Sequence, residues 1–213
     1  MLSHVTCEEP NEVLQWFFTL MSSSPDIQAE KTPRPTRPLA ERMRPLRLDE
    51  VRGQSHLLGK DCLLPKLIRE NRVGNLILAG PPGTGKTTLA TVIAQESKCK
   101  QIKLNAVTSN VTELRESLKL ARYYGSEKCF LFVDEIHRFN KAQQDLLLPD
   151  IESGEVRLIG ATTHNPRYYV IDPLLSRSQL FTLQPLEINE IEKALLACID
   201  NHENGLGVRK CRT

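Results

Sequence analysis

A glycine-rich stretch that ends in a lysine and a threonine is the part of this sequence best suited to chemistry. Its residues are Gly80, Pro81, Pro82, Gly83, Thr84, Gly85, Lys86 and Thr87, and they fit the pattern G-x-x-x-x-G-K-[ST]. Glycines let the backbone wrap around an anion, and a following helix adds the partial positive charge of its N-terminus. Lys86 would reach the β- and γ-phosphates of a nucleotide, and the Thr87 hydroxyl would bind Mg²⁺. The stretch therefore predicts a phosphate-binding loop.

Two adjacent acids follow an apolar run further along the chain. The run Phe130–Val133 leads directly into Asp134 and Glu135. An acid at the carboxyl end of a strand can hold the hydrated Mg²⁺ of a bound nucleotide, which suits Asp134. Glu135 is then the natural base to polarise an attacking water. Together with the glycine-rich stretch, the two acids predict a site that hydrolyses a nucleotide.

The segment 140–143, with the sequence NKAQ, resembles the guanine-reading motif N-K-x-D. Gln143 replaces the acid that would accept hydrogen bonds from guanine. The segment also begins too soon after Glu135 for a base-reading loop. We therefore expect no preference for GTP.

Short apolar runs and helical periods alternate around these motifs. The predicted strands are Asn75–Ala79, Gln101–Leu104, Cys129–Val133, Val156–Ala161 and Gln179–Leu183. Continuous apolar runs are typical of parallel strands covered on both faces. Between them, helical faces are predicted at Leu89, Val92 and Ile93, and at Leu114, Leu118 and Ala121. The alternation predicts an α/β fold, a doubly wound parallel sheet of five strands flanked by helices.

The composition fits a folded protein of nearly balanced charge. The 213 residues include 28 Lys and Arg against 26 Asp and Glu, a formal charge of +2, with 40% hydrophobic and 25% charged residues. These values exclude an acidic tail protein and a histone-like polycation. The longest apolar run, Leu14–Met21, is far shorter than the roughly 18 residues of a membrane span and lacks the basic flank of a signal peptide. We therefore expect neither a membrane partner nor secretion.

The six cysteines are scattered and include no C-x-x-C pair; they are Cys7, Cys62, Cys99, Cys129, Cys198 and Cys211. This spacing predicts reduced thiols and favours neither a zinc site nor a disulfide framework.

Composition divides the chain into three parts. Residues 1–37 contain Ser-, Pro- and Thr-rich stretches and predict a disordered or linker-like leader, in which Trp16–Phe18 has weak local structure or forms a docking peptide or one amphipathic turn. Residues 38–188 carry the strand and helix signals and predict the nucleotide-binding core. Residues 189–213 predict one more helix and a frayed tail. That helix would have Asn189 as its N-cap, Glu192 in a capping box, and an apolar face formed by Ile191, Leu195, Cys198 and Ile199.

With these motifs in view, the chain resembles the AAA+ ATPases of the replication-associated recombination protein A group, whose eukaryotic counterpart is the Werner helicase-interacting protein. The likeness covers roughly residues 38–190. It is carried by the segments Pro38–Pro45, Gly53–Gln54, Gly80–Thr88, Asp134–Asp145, Leu158–Thr163 and Leu174–Arg177. The string HRFNK-x-QQD is quite specific to this group. The resemblance implies a P-loop NTPase fold of the AAA+ type.

The resemblance also implies roles for residues outside the two main motifs. Thr162 or Thr163 matches the sensor-1 position, where a hydroxyl contacts the γ-phosphate or the attacking water. Arg177 matches the clamp-loader type of arginine finger, which reaches the nucleotide of a neighbouring subunit. The segment that lies over adenine is matched by Val51, Gly53 and Gln54. With Gly80–Thr88, these residues would bind ATP and, through Thr87 and Asp134, Mg²⁺.

The chain departs from the family pattern at several positions. His164 and Arg167 stand where family members usually carry Glu and Ser, and Asp150 stands where they carry His. Family members continue into a helical lid with a sensor-2 arginine and then an assembly region. Only the first lid helix, around Glu190–Asn201, is expected here. The zinc finger of the eukaryotic relatives is not expected in residues 1–37, which hold a single cysteine.

Two functions follow from this resemblance. The first is an ATPase of DNA replication, recombination and repair at stalled forks, with forked or single-stranded DNA and neighbouring copies of the chain as partners, in the nucleus of a eukaryote or the cytoplasm of a bacterium. The segment Lys31–Arg52 would be a basic arm for phosphates or a solvated linker. The alternative is a nucleotide-binding fragment with little turnover that binds or interferes with full-length relatives. A small-molecule kinase fits less well, because the sequence offers neither an acceptor pocket nor an Arg-rich lid.

Overall fold

The structure, a computed structural model, describes residues 37–201 and 204–206. The predictions for residues 1–36, including the docking peptide at Trp16–Phe18, lie outside the described residues, as does most of the predicted frayed tail. The described cysteines are all free; they are Cys62, Cys99, Cys129 and Cys198. Within the described ranges, no helix is long and apolar enough to cross a membrane.

Five parallel strands form one sheet in the order β2-β3-β4-β1-β5. The strands are β1 Leu76–Ala79, β2 Lys100–Asn105, β3 Cys129–Asp134, β4 Arg157–Thr162 and β5 Gln179–Thr182. The predicted parallel sheet of five strands is therefore confirmed. Helices connect the strands, as parallel pairing requires, and further helices precede β1 and follow β5. They are α1 Leu39–Arg42, α2 Ser55–Leu58, α3 Leu63–Arg69, α4 Lys86–Glu96, α5 Val111–Tyr124, α6 Lys141–Asp145, α7 Leu148–Ser153, α8 Pro166–Tyr169, α9 Asp172–Ser176 and α10 Ile188–Asp200, with 3₁₀ turns at Leu48–Glu50 and Ile136–Arg138.

Apolar side chains cover both faces of the central strands. Successive residues of a strand point to opposite faces, so Ile77 packs in one core cluster while Leu76 and Leu78 pack in the other. The helical faces predicted on α4 and α5 are buried against the sheet; they consist of Leu89, Val92 and Ile93, and of Leu114, Leu118 and Ala121. Burial on both faces explains why the central strands have uninterrupted apolar sequences.

The prediction of two covered faces is wrong for the edge strands. Of the four residues of β5 only Phe181 is buried, and in β2 only Leu104 is buried. An edge strand lacks a neighbour on one side, and its polar side chains remain in solvent. The apolar run alone does not distinguish an edge strand from a central one.

The last helix also differs from its prediction. α10 begins at Ile188, with Glu187 as the N-cap residue and no side-chain capping bond, so the predicted cap at Asn189 is wrong. Its predicted apolar face is not buried in this part of the chain, since Ile191 is 44% exposed and Leu195 is 50% exposed. A periodic apolar pattern identified the helix but did not reveal whether its apolar face was buried.

The segment that resembled a guanine-reading motif forms a helix cap. The Asn140 side chain accepts a hydrogen bond from the Gln143 amide at 2.9 Å, and the Gln143 side chain accepts one from the Asn140 amide at 3.0 Å. This reciprocal capping box starts α6. Both side chains are therefore used by the local backbone.

One buried amide holds the 136–139 turn and the α8–α9 connection together. The Gln144 side chain is 1% exposed; its Nε2 donates to the carbonyl of Phe139 at 3.0 Å and to that of Tyr169 at 2.8 Å. Its Oε1 accepts from the amide of Ile171 at 3.0 Å. Buried polar groups without partners are costly, and this amide satisfies three backbone groups at once.

Replacing Gln144 with Leu should lower the free energy of unfolding by about 2–4 kcal/mol, because two carbonyls and one amide lose their partner. Chemical denaturation of the folded chain measures this loss. The matched control is Gln95→Leu on the exposed side of α4, which should change stability by less than about 0.5 kcal/mol. Equal effects of the two substitutions would contradict this role for Gln144.

Candidate nucleotide-binding site

The candidate site lies where three neighbouring strands end. Ala79, the last residue of β1, pairs with Thr162, the last residue of β4. In the next pair of strands, Val133 of β3 pairs with Gly160 of β4. The glycine-rich loop, Asp134 and Thr162 therefore reach the same edge of the sheet. Ligands of open parallel sheets bind at this carboxyl edge.

The glycine-rich loop joins β1 to α4 and needs glycine at defined points. A Cβ on Gly80 would lie 2.6 Å from the carbonyl oxygen of Leu183, a clash that excludes any side chain. Gly83 and Gly85 have φ angles of 78° and 91°, in the left-handed region that glycine adopts without strain. The Thr84 hydroxyl donates to the carbonyl of Pro81 at 2.9 Å and closes the loop on itself.

The loop leads into the N-terminus of an 11-residue helix, α4, which begins at Lys86. The first amides of a helix have no acceptor within the helix, so those of Lys86, Thr87 and Thr88 are available to an anion. Pro81 and Pro82 lie exposed on the outside of the loop. The predicted loop thus has the form that suits a row of phosphates.

Lys86 folds across its own loop. Its side chain donates to the carbonyls of Gly80 and Pro81, both at 2.8 Å, and the residue is 7% exposed. Burial lowers the pKa of the Lys86 ammonium below its ordinary value, while the nearby carboxylates of Glu135 and Asp134 act in the opposite direction. An ammonium held at this position offers positive charge at the mouth of the loop.

Thr87 and Asp134 bring two oxygen ligands together. The Thr87 hydroxyl donates to Oδ2 of Asp134 at 3.3 Å, and Oδ1 of Asp134 accepts from the amide of Glu135 at 3.1 Å. Mg²⁺ in nucleotide sites binds a hydroxyl or carboxylate of the protein and takes its other ligands from water and phosphate. The pair fits that requirement. Within the described ranges, no cluster of three or more His, Cys, Asp and Glu could hold a metal ion.

Glu135 is held by one of its two carboxylate oxygens. Its backbone is left-handed, with φ 53°, a conformation that costs a non-glycine residue about 1 kcal/mol or more. Its Oε2 accepts from the amide of Thr163 at 3.3 Å and from the Thr163 hydroxyl at 3.1 Å, and lies 3.1 Å from Nδ1 of His137. The strained turn and these contacts fix the carboxylate beside the loop.

The two candidate sensor threonines are in different environments. Thr162 is fully buried, and its hydroxyl lies 3.1 Å from Nδ1 of His137 and 3.2 Å from the carbonyl of His164. Thr163 is half-buried and contacts Glu135. Of the two, Thr163 is the one that directly contacts the candidate base.

His137 is a site residue that the sequence analysis missed. Its side chain is 4% exposed, and its ring lies on that of His164 with the ring centres 4.2 Å apart. Burial lowers the pKa of His137, the negative charge of Glu135 raises it, and His164 and Arg138 lower it further. One sequence signal could have indicated His137: it lies two residues after Glu135, in the turn Ile136–Arg138 that follows β3.

The predicted adenine segment packs against the chain that follows β5. A Cβ on Gly53 would lie 2.6 Å from Cδ2 of Leu186, and Val51 is half-buried nearby in sequence. The Gln54 side chain is 7% exposed; its Nε2 donates to the carbonyl of Gln184 at 2.6 Å and to that of Thr84 at 3.4 Å. Gln54 thus joins this segment to the phosphate loop.

Arg177 is not brought to the other candidate residues. It follows α9 at the amino end of the sheet, where its carbonyl accepts from the side chain of Asn75, just before β1. Its guanidinium lies 2.8 Å from Oε1 of Glu152 and donates to the carbonyl of Pro173 at 2.9 Å. The length of β1 separates Arg177 from the phosphate loop of its own chain.

The departures from the family pattern have structural counterparts at two positions. Asp150, whose side chain is 4% exposed, forms a two-pronged ion pair with Arg122 of α5. His164 packs on His137, and Tyr169 meets the His164 ring edge-on at 5.0 Å. Arg167 is exposed, and nothing in the structure explains its presence.

The sequence is similar to AAA proteins of known families. Residues 76–186 match the model of the ATPase family associated with various cellular activities (AAA). The chain is 46% identical over 172 residues to replication-associated recombination protein A of Haemophilus influenzae, covering 80% of this chain and 39% of that protein. It is 46% identical over 158 residues to ATPase WRNIP1 of Dictyostelium discoideum, covering 73% of this chain and 18% of that protein. It thus spans about two fifths of the length of the first relative.

A solved structure agrees with these sequence matches. The RuvB Holliday junction branch migration motor of Thermotoga maritima has a TM-score of 0.62 and 30% identity, over 75% of this chain and 54% of that one. The matches confirm the resemblance found in the motifs and the P-loop NTPase fold. With the family model matched over more than half of its residues, the chain belongs to the AAA family of ATPases.

Proposed function

We propose that this chain binds ATP with Mg²⁺ and hydrolyses it in the service of DNA replication, recombination or repair. ATP binding and hydrolysis are supported above all by one observation. Four side chains lie together at one edge of the sheet: Lys86, Thr87, Asp134 and Glu135. They combine an ammonium, two oxygen ligands and a second carboxylate held by Thr163. Phosphoryl transfer to water needs these groups together, because catalysis is mainly positioning and charge stabilisation.

Each group has a distinct task in this proposal. The amides of residues 83–88 and the Lys86 ammonium bind the β- and γ-phosphates, and segment 51–54 lies against adenine. Thr87 and Asp134 hold Mg²⁺, which when bound neutralises charge on the phosphate oxygens. Glu135 orients a water and accepts its proton. The Thr163 hydroxyl turns from Glu135 toward the γ-phosphate or the water when nucleotide is present.

The DNA role is supported by the relatives. The Haemophilus influenzae relative is named replication-associated recombination protein A, and the similar solved structure is a Holliday junction branch migration motor. We propose forked or single-stranded DNA as the nucleic-acid partner, and the nucleus or the bacterial cytoplasm as the compartment. The neighbouring subunits in this proposal are copies of the chain or longer relatives.

Substituting Lys86 and Glu135 should separate binding from hydrolysis. Lys86→Ala should abolish binding of a fluorescent ATP analogue, since the loop loses its only ammonium, whereas Lys66→Ala on the exposed side of α3 should leave affinity unchanged. Glu135→Gln should keep nucleotide affinity and lower turnover by about 10²–10⁴-fold. Unchanged affinity in Lys86→Ala would refute the phosphate site, and unchanged turnover in Glu135→Gln would refute the base.

Arg177 should act on the site of a neighbouring subunit. In its own chain it is tied to Glu152, but an ion pair this exposed is worth about 0–1 kcal/mol and is readily exchanged. Arg177→Ala alone should lower turnover by about 10³-fold or more. Mixing it with Glu135→Gln should restore activity, because intact Glu135 sites then receive Arg177 from the other variant. A mixture no more active than its components would contradict action between subunits.

Turnover should also respond to DNA. We expect forked or single-stranded DNA to raise the ATPase rate of the chain severalfold, with a loss of the effect at high salt because phosphate contacts are screened. Titration of the purified chain with each DNA, run beside sedimentation to fix the number of subunits, measures this. A rate unchanged by every DNA structure would contradict the DNA part of the proposal.

A further inference from the structure

The groups found in contact with the Glu135 carboxylate all meet the same oxygen, Oε2. Oε2 meets the amide and hydroxyl of Thr163 and the Nδ1 of His137, at 3.1 to 3.3 Å. No contact of Oε1 is found in the described part of the chain. One oxygen is therefore held, while the other is left without a contact among the described residues.

We propose that His137 is a positioning residue whose Nδ1–H, hydrogen-bonded to the Thr162 hydroxyl, lies beside Oε2 of Glu135 and holds that oxygen by charge attraction, so that Oε1 is the oxygen presented to the attacking water. This inference rests on the proposed function, in which Glu135 is the base. His137 itself touches neither nucleotide nor water in this account; it acts through Glu135.

The contacts of the His137 ring determine where its proton lies. Nδ1 lies 3.1 Å from Oε2 of Glu135 and 3.1 Å from the Thr162 hydroxyl. With the proton on Nε2, the Nδ1 lone pair would face a carboxylate oxygen, which is repulsive. With the proton on Nδ1, the N–H donates to the Thr162 hydroxyl and places its partial positive charge beside the carboxylate, and Thr162 donates its own proton to the carbonyl of His164 at 3.2 Å. We therefore assign the neutral ring with Nδ1 protonated.

The remaining nitrogen agrees with this assignment. Nε2 is buried and has no hydrogen-bond partner among the described residues. An unpaired buried N–H would be costlier than an unpaired buried lone pair, because orphaned donors are the rarer exception in proteins. Burial also keeps the ring neutral, as the lowered pKa of His137 indicates. A neutral ring with its N–H beside the carboxylate attracts Oε2 without removing the charge of Glu135.

The ring is itself fixed on its other sides. His164 stacks on it at 4.2 Å with 30° between the planes, and Tyr169 meets it edge-on at 6.0 Å. Tyr169 is in turn held through its carbonyl by Gln144. The position of Nδ1 is thus set by packing, which is what a group that orients another side chain needs.

Anchoring matters because a base must be accurately placed. Proton transfer requires the base within about 2.6–3.2 Å of the group it deprotonates, and a displacement of about 1 Å can cost 10²-fold in rate. Once the Thr163 hydroxyl has turned to the nucleotide, loss of the Nδ1–H would leave Oε2 only the Thr163 amide, and the Glu135 carboxylate could rotate. The rate of hydrolysis would fall while the phosphate loop, formed by other residues, would bind nucleotide as before.

Two substitutions separate anchoring from packing. His137→Phe keeps an aromatic ring in the stack but has no N–H. His137→Asn loses the ring but carries an N–H on the atom bonded to Cγ, as Nδ1 is in histidine. We expect His137→Phe to lower kcat by roughly 10–100-fold with the Kd of a non-hydrolysed ATP analogue changed less than about twofold, and His137→Asn to recover most of the lost kcat. A wild-type kcat in His137→Phe, or equal losses in both variants, would overturn the proposal.

A second measurement does not depend on turnover. Long-range ¹H–¹⁵N NMR of the wild-type chain distinguishes the two neutral tautomers of histidine; we expect His137 with Nδ1 protonated, and a changed tautomer or increased ring mobility in Glu135→Ala. The Nε2–H tautomer in the wild type would overturn the proposal. Absence of turnover in the wild-type chain, with the Nδ1–H tautomer and its dependence on Glu135 intact, would contradict the proposed function and leave the His137 contact supported.

Discussion

The register of three neighbouring parallel strands is the constraint on which the candidate site depends. Because β1 ends opposite the end of β4, and β3 runs beside β4 in matching register, the loop at Gly80, Asp134 and Thr162 emerge along one line. A shift of one residue would turn the side chains of a whole strand to the other face. Apolar packing on both faces opposes such a shift, so the same core that stabilises the sheet also aligns the phosphate loop with the two acids.

The sheet brings the candidate residues to one edge, and polar contacts then fix the orientation of the Glu135 side chain. The chain leaves β3 through a left-handed residue, Glu135, which directs its carboxylate toward Thr163 and away from the core. The turn behind it is held by Gln144, whose buried amide bonds to Phe139, Tyr169 and Ile171. Strain at one residue is thus balanced by a network around it, a pattern expected at a site where geometry matters more than stability. Arg177 lies outside this network at the other end of the sheet, which is consistent with a role toward another subunit.

Local sequence patterns predicted the loop, the acids and the strands that carry them, because these features depend on residues close in sequence. The glycine spacing of the loop and the apolar run before Asp134 can be recognised without reference to the rest of the chain. Local patterns did not single out His137, since the orientation of its ring beside Glu135 depends on His164 and Thr162, which a separate strand brings to it. The choice between Thr162 and Thr163 likewise required the sheet, as successive residues point to opposite sides. The cap of α10 was misplaced because Asn189 fits the pattern equally well, and the exposure of β5 follows from its place in the strand order.

The central claim is that the edge formed by β1, β3 and β4 is one nucleotide site whose parts lie together before nucleotide binds. A crystal structure of the chain with Mg²⁺ and a non-hydrolysable ATP analogue tests it most directly. The account predicts a triphosphate within the amides of residues 83–88, Mg²⁺ beside Thr87 and Asp134, and Oε1 of Glu135 facing the γ-phosphate while Oε2 keeps its contact with His137. A triphosphate bound elsewhere, or a Glu135 carboxylate that leaves His137 when the nucleotide binds, would contradict it.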